Sequence, residues 1–324
     1  MERLQPFSVK ISADALALAD FHANITNTET IGYISGHWNG DQNALKLEVV
    51  HPCHVLMPLS SSTDCDNERN RIALEIQKLG HEVVGWYHSH PKAPAQPSKD
   101  DINRQLDYQV MMKGATESSY IPCVGLIIAP MCYTNQGMKK SKVQLFWVMP
   151  PPENRPMEMG RPMHLDYDTI SASNLDTKKM LLSLESLLNY YKENKTLVDI
   201  NDISSGKFEK LKETVSSWIP ELKTNVEFWN EVKHLFTCPL TPATKTEPVE
   251  ITGNSLELPV SIKQEETDSI KTQNSTCPDT SPTHSTNDPM PSTSILPVSG
   301  PSSASSTSRS VSTPSSTGEE PGAT

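Results

Sequence analysis

Residues 82–101 have the sequence EVVGWYHSHPKAPAQPSKDD, which contains a predicted strand, a stiff loop and the start of a predicted helix. The apolar run Glu82–Tyr87 is typical of a buried strand. Three prolines in the segment Pro91–Pro97 restrict the backbone of the loop. A helix is predicted over residues 98–112, because the serine at its start can accept a hydrogen bond from a free backbone amide. This succession of strand, loop and helix indicates an α/β fold.

The neighbouring segments alternate between strand and helix patterns. The predicted strands are residues 7–11, 29–36, 44–55, 121–129 and 142–149, and the predicted helices are residues 12–24 and 68–79. Gly80 is a suitable stop for the second of these helices, and the polar residues 57–65 predict a loop. Together these elements predict a mixed sheet flanked by helices, in an α/β domain over residues 5–155.

The chain after Pro150–Pro152 has a different pattern. Helices are predicted at residues 175–193, 207–217 and 221–236, which form a C-terminal helical extension over residues 156–236. We expect this extension to pack on the α/β domain, because its aromatic residues need an apolar partner surface. Residues 237–324 are rich in Ser, Thr and Pro and contain no aromatic residue, so we predict a disordered tail.

The overall composition limits the classes of function. The net charge is −11, with 28 Lys and Arg against 39 Asp and Glu, which argues against a nucleic-acid partner. The six cysteines form no CxxC pair, so we expect a reducing compartment, the nucleus or the cytoplasm. The first ten residues lack the apolar core of a signal peptide, and no apolar run reaches the length of a membrane span.

Two histidines and an aspartate have the spacing of a metal site. His88 and His90 lie on the same face of the predicted strand, because side chains alternate along a strand. Asp101, in the first turn of the next helix, is a plausible third ligand. Two imidazoles and one carboxylate, with a fourth position open to water, are the ligand set of a catalytic zinc ion. The sequence therefore predicts one catalytic Zn²⁺ in a hydrolase.

Other parts of such a site are less defined by spacing. A hydrolase needs a general base, and spacing does not choose among four acids: Glu29, Glu48, Glu75 and Glu82. Ser98 is able to donate a hydrogen bond to an oxyanion. A simpler interpretation is that Ser98 and Asp101 only cap the helix. Three further histidines lack paired ligands in the sequence and are predicted to lie at the surface or at strand ends: His51, His54 and His81.

The segment His88-Ser89-His90, seven residues, Ser98, two residues and Asp101 resembles the JAMM signature of MPN-domain metalloproteases. In that family a glutamate precedes an apolar strand with a glycine, which Glu29-Thr30-Ile31-Gly32 matches here. The resemblance implies that His88, His90 and Asp101 bind zinc, that Glu29 is the general base and that Ser98 assists at the oxyanion. It also implies ubiquitin or ubiquitin-conjugated proteins as substrates.

The same resemblance leaves several alternatives open. Residues 56–80 would correspond to an insertion that helps to hold ubiquitin, and residues 131–142 to a second, short insertion without a structural zinc. Some family members need an activating protein subunit. Others are non-catalytic scaffolds, although these usually lack the metal ligands. A chromatin-associated adaptor is a third interpretation, which the acidic composition disfavours.

Overall fold

The computed structural model describes residues 5–56, 60–113, 120–130, 140–171, 175–199 and 206–239. Its centre is a mixed sheet with the strand order β7-β6-β5-β4-β2-β3-β1-β8. The strands are β1 (Ser8–Ser12), β2 (Ile31–Asn39), β3 (Ala44–Pro52), β4 (Glu82–Ser89), β5 (Val124–Ala129), β6 (Lys142–Met149), β7 (Arg161–His164) and β8 (Asp168–Ile170). Strand β4 runs parallel to β5 and antiparallel to β2, so the predicted mixed α/β sheet is confirmed.

Helices cover both faces of this sheet. They are α1 (Ala13–Asn24), α2 (Ser62–Leu79), α3 (Lys99–Met111), α4 (Thr177–Glu193), α5 (Lys207–Ser216) and α6 (Val226–Thr237), with a 3-10 helix at Pro220–Thr224. Helices α2 and α3 share an apolar cluster with one face of the sheet, and α1 shares a second cluster with the opposite face. Consecutive residues of β4 therefore belong to different clusters, as the alternation of strand side chains requires.

Helix α1 is buried on nearly all sides. Leu16 and Ala19 pack toward the sheet, whereas Ala17 and Phe21 belong to an apolar cluster with α4, α5 and α6. A helix that is apolar around its whole circumference is expected in the interior of a protein. The C-terminal helices thus bury apolar side chains against a helix of the α/β part, and the boundary near residue 155 stays a prediction.

A buried carboxylate joins α1 to the C-terminal helices. Asp20 accepts hydrogen bonds from Thr214 Oγ1 and from Trp218 Nε1, both at 2.8 Å. Asn24 Nδ2 donates to the second oxygen at 2.8 Å. Burial raises the pKa of Asp20, and these hydrogen bonds oppose that rise. Because each oxygen has a donor, the carboxylate is satisfied and fixes α5 against α1.

The structure corrects some of the predicted elements. The loop predicted at 57–65 is wrong in its last part, since α2 already begins at Ser62, where Ser61 and Asp64 form a capping box. Strands β7 and β8 were not predicted, because they are short and largely exposed and so have no apolar alternation. The predicted disordered tail lies, from residue 240 onward, outside the described residues. No helix in the described ranges is long and apolar enough to cross a membrane.

Candidate metal centre

His88 and His90 meet at the end of β4. His88 lies within the strand and His90 follows its last residue, and both side chains are buried. Their Nε2 atoms are 2.7 Å apart. The ring of His88 stacks on the indole of Trp86, with 5.0 Å between centroids and 8° between planes. The alternation of residues along β4 therefore brings both imidazoles to one point, as the sequence predicts.

Asp101 reaches the same point from the first turn of α3. Its Oδ1 is 3.1 Å from His88 Nε2, and its Oδ2 is 3.3 Å from His90 Nε2. The backbone amide of Ser98 also donates to Asp101 Oδ2, at 2.7 Å. This bond is half of a capping box, because Ser98 Oγ accepts from the Asp101 amide at 3.2 Å. The Asp101 carboxylate therefore caps helix α3 and also faces both histidines.

The donor atoms of these three residues fit a zinc ion. The pyrrole-type nitrogen of His90, Nδ1, donates to the carbonyl of Pro94 at 2.8 Å, so its Nε2 carries a lone pair. Two imidazole Nε2 atoms and a carboxylate thus face each other with ligand atoms all within 4.8 Å. Such a cluster of acceptors is stable when a cation or a proton lies between its members. A His₂Asp set is a borderline-soft, three-ligand environment, which suits Zn²⁺.

The protonation equilibria of the cluster are strongly perturbed. Burial lowers the pKa of His88, and hydrogen bonding to Asp101 opposes this only in part. Burial also disfavours the charged form of His90, but Asp101, the Pro94 carbonyl and the charge of Glu29 raise the pKa of His90 above its usual value. For Asp101, burial favours the neutral acid, but both histidines hold its pKa far below the usual range. The carboxylate is therefore ionised at neutral pH.

A layer of polar side chains fixes α3 relative to β4. Trp86 Nε1 donates to Gln105 Oε1 at 2.7 Å, and Gln105 Nε2 donates to the carbonyl of Cys123 at 2.6 Å. One turn later, Gln109 exchanges two hydrogen bonds with the backbone of Val148 in β6. These contacts hold the helix that carries Asp101. This role of Gln105 and Gln109 was not predicted from the sequence, although two glutamines one turn apart on the buried side of a helix are a signal for it.

Glu29 precedes β2 at the same end of the sheet. Ile31 pairs with His88, and Thr30 exchanges hydrogen bonds with Ser89. Continuing this antiparallel register by one residue places Glu29 opposite His90. Consistent with this position, the charge of Glu29 contributes to the raised pKa of His90. The Glu29 side chain is exposed and therefore accessible from solvent.

The other three acids lie elsewhere. Glu48 is engaged with His37 and Lys46, and Glu75 with Arg71 and His51. Glu82 begins β4, six residues before His88, which corresponds to about 20 Å along a strand. Of the four acids, Glu29 thus precedes β2 at the end of the sheet that carries His88, and its role as the general base stays a prediction.

Three remaining histidines have different surroundings. His51 is buried near the end of β3 and contacts Ser35 Oγ through Nε2 at 2.8 Å. His54 stacks on Tyr190, with 5.1 Å between ring centroids. His81 precedes β4, and its Nε2 lies 3.9 Å from Glu48 Oε2. His51 and His81 each lie near a carboxylate that is distant in sequence, Glu75 and Glu48 respectively. The prediction of no paired ligand is wrong for His81, whose ligand atom lies within 4.8 Å of those of His37 and Glu48.

The fold and the centre together define a class of protein. An α/β domain with a mixed sheet presents two histidines from one strand and an aspartate from the following helix. Residues 5–114 match the family model described as JAB1/Mov34/MPN/PAD-1 ubiquitin protease. The chain therefore carries a domain of the JAB/MPN family.

Several known proteins share this part of the chain. The MPN domain-containing protein CG4751 of Drosophila melanogaster is 34% identical, over 73% of this chain and 17% of that protein. The MPN domain-containing protein of Danio rerio is 33% identical, over 68% of this chain and 48% of that protein. The deubiquitinase MYSM1 of Mus musculus is 30% identical, over 41% of this chain and 16% of that protein. The chain thus spans less than half the length of these relatives.

Proposed function

We propose that this chain is a zinc-dependent metalloprotease that hydrolyses ubiquitin-type isopeptide bonds. The observation that carries this proposal is the convergence of His88, His90 and Asp101, with the exposed Glu29 beside them. Each ligand comes from an element whose position is fixed by other contacts. A site built in this way suits hydrolysis, because catalytic groups must be held rigidly before the substrate arrives.

In this proposal the three ligands are His88 Nε2, His90 Nε2 and a carboxylate oxygen of Asp101. The chemistry that zinc supplies in such a site is a water pKa lowered to about 7 and polarisation of the scissile carbonyl. The Pro94 carbonyl holds His90 in the tautomer with a lone pair on Nε2. The stacked indole of Trp86 restricts rotation of the His88 ring.

Glu29 and Ser98 have the remaining chemical roles. The Glu29 carboxylate accepts a proton from the attacking water and transfers it to the leaving amine nitrogen. The Ser98 hydroxyl accepts a hydrogen bond from the Asp101 amide, so its own proton remains available for the developing oxyanion. This second role is compatible with helix capping, because the cap uses a lone pair of Oγ and not its proton.

The substrate class comes from the relatives. The matching family model is described as a ubiquitin protease, and one relative is named as a deubiquitinase. We therefore propose ubiquitin or a ubiquitin-conjugated protein as substrate, with an activating protein subunit as a further candidate partner. Nucleus or cytoplasm is the proposed location, since the cysteines of the described part, including Cys53 and Cys123, are free thiols.

The test compares wild type with Glu29→Gln on a panel of di-ubiquitin linkages. We expect the variant to keep its zinc and to lose cleavage, because the amide retains the shape of the side chain but cannot accept the proton. Glu82→Gln is the matched control and should cleave like wild type. Equal cleavage by wild type and Glu29→Gln would exclude Glu29 as the base, and zinc-free wild type would exclude the mechanism.

An MPN scaffold that requires a partner, or that has no activity, is the alternative. Relatives that are named only as MPN domain-containing proteins leave this alternative open. To distinguish the two proposals, the cleavage assay on the panel of di-ubiquitins is repeated with cell extract added as a source of partner proteins. Zinc-loaded wild type that cleaves no linkage in either setting would favour the scaffold.

A further inference from the structure

A second cluster of imidazole and carboxylate groups lies at the other end of the same strands. His37 Nδ1 is 2.5 Å from Glu48 Oε2, and His81 Nε2 is 3.9 Å from the same oxygen. The two imidazole rings contact each other, with 4.8 Å between centroids. One ligand atom from each residue falls within 4.8 Å of the other two. These three groups come from β2, β3 and the residue before β4.

Two irregularities in strand pairing create this arrangement. Ser35 pairs with Val49 and Gly36 with Leu47, so Glu48 is an extra residue in β3. A β-bulge of this kind redirects a side chain, and bulges are frequent next to functional sites. A second register shift separates Ile34 from Ser35 in the pairing of β2 with β4. Beyond it, continuation of the register places His37 opposite His81.

The close approach of the strands requires a glycine at the bulge. A Cβ atom at Gly36 would lie 1.9 Å from the carbonyl oxygen of Lys46 and 3.2 Å from the amide of Glu48. Any larger residue would therefore separate β2 from β3 at this point. The backbone is thus shaped so that Glu48 turns toward His37.

A further contact orients the His81 ring. Its Nδ1 is 3.1 Å from Ser35 Oγ, which in turn is 2.8 Å from His51 Nε2. This contact occupies one ring nitrogen and directs the other, Nε2, toward Glu48. Ligating histidines in metalloproteins are held by such outer partners.

We propose that His37, Glu48 and His81 form a second site for a divalent transition metal, with Zn²⁺ as the probe ion. Two imidazoles and one carboxylate are suitable ligands for zinc, and a fourth position would be open to solvent because His37 is exposed. The site differs from the first in its charge balance. Lys46 Nζ lies 2.5 Å from Glu48 Oε1 and competes with a cation for this carboxylate.

The test measures zinc per chain after dialysis of the full chain against excess zinc. In an Asp101→Asn background, His37→Ala should lower the zinc content by about one ion per chain. Glu48→Gln, which preserves size, should do the same if His37→Ala fails to fold. His164→Ala is the matched control, since this partly exposed histidine also lies near an acid, Asp166, at 3.7 Å.

A second variant tests whether the charge of Lys46 weakens zinc binding at this cluster. Lys46→Met removes the competing cation and should tighten zinc binding a few fold, as the loss of an exposed ion pair predicts. If the cluster is only a network of ion pairs, Lys46→Met should leave zinc binding unchanged. Equal zinc content in the His37→Ala, Glu48→Gln and His164→Ala chains would overturn the proposal.

The same comparison in the wild-type background separates this site from the first one. A loss of about one ion on His37→Ala is expected with or without Asp101→Asn. A zinc content of Asp101→Asn equal to that of wild type, together with a loss on His37→Ala, would contradict the proposed function alone. Loss on Asp101→Asn with no effect of His37→Ala would contradict the second site alone.

Discussion

Two buried histidine sites lie on opposite faces of β4, and they have different partners. Tyr87 and His88 are consecutive, so their side chains point to opposite sides of the sheet. On one side His88 faces a second imidazole and a carboxylate. On the other side Tyr87 Oη is 2.7 Å from Nδ1 of His22, whose Nε2 is 2.8 Å from Tyr191 Oη.

The partners explain why only one of these sites suits a metal. A neutral imidazole has one donor and one acceptor, so two hydroxyl groups satisfy His22 completely. No lone pair of His22 is left for a cation. Around His88 the surplus of acceptors requires a positive charge instead. Burial of a histidine is therefore not sufficient to indicate a metal site, whereas convergence of a carboxylate and a second imidazole is a specific signal.

The largest effect is expected from Asp101→Asn. Loss of the carboxylate charge removes the third ligand, so bound zinc should fall and isopeptide cleavage should drop by several orders of magnitude. Metal analysis and a di-ubiquitin assay measure both quantities. The neighbouring Asp100→Asn is the matched control, because Asp100 is exposed in the same helical turn. Unchanged zinc and cleavage in Asp101→Asn would contradict the assignment.

His22→Leu should affect the opposite face of the strand. The substitution leaves the hydroxyls of Tyr87 and Tyr191 without their partner, and we expect a loss of about 2–4 kcal/mol in the free energy of unfolding. Urea denaturation measures this change. Zinc content should remain at the wild-type level, because the introduced leucine side chain would lie on the side of β4 away from the metal ligands. A parallel loss of zinc would show that Tyr87 couples the two faces.

Ser98→Ala separates helix capping from catalysis. The loss of a cap should lower the free energy of unfolding by about 1 kcal/mol, and the loss of an oxyanion donor should lower kcat by about a hundredfold. Asn225→Ala is the matched control, because Asn225 Oδ1 accepts from the Phe228 amide at 2.9 Å at the start of α6. This control should lose a similar stability and keep its kcat. If Ser98→Ala also keeps its kcat, Ser98 is only a helix cap.

The local parts of the site could be predicted from the sequence. The spacing of His88 and His90 in a strand, and the cap at Ser98, depend on rules that act over a few residues. These rules placed the ends of β6 at Lys142 and Met149, as the structure has them. The choice of Glu29 required the register between β2 and β4, which periodicity does not determine. From the sequence alone, only the resemblance to the JAMM family indicates Glu29 as the general base.

Features that depend on distant pairing could not be predicted in this way. The cluster of His37, Glu48 and His81 requires two register shifts, and a bulge has no signature in hydrophobic alternation. His22 lies in an apolar helix, and nothing in its sequence neighbourhood indicates Tyr87 or Tyr191 as partners. Such contacts arise from packing of whole elements, and local patterns carry little information about them.

The pH dependence of stability tests the His22 site in a second way, through the proton that a buried imidazole does not bind. Burial, with a smaller contribution from His54, lowers the pKa of His22 to about 3, whereas the unfolded chain has the usual pKa near 6.5. Between these two values the unfolded state binds a proton that the folded state does not bind. The free energy of unfolding should therefore fall as the pH decreases from 6.5, by roughly 1.4 kcal/mol per unit from this group alone. Urea denaturation at a series of pH values should show a shallower dependence for His22→Leu than for wild type. Identical slopes would mean that His22 is protonated in the folded protein, and the distinction between the two faces of β4 would then need another cause.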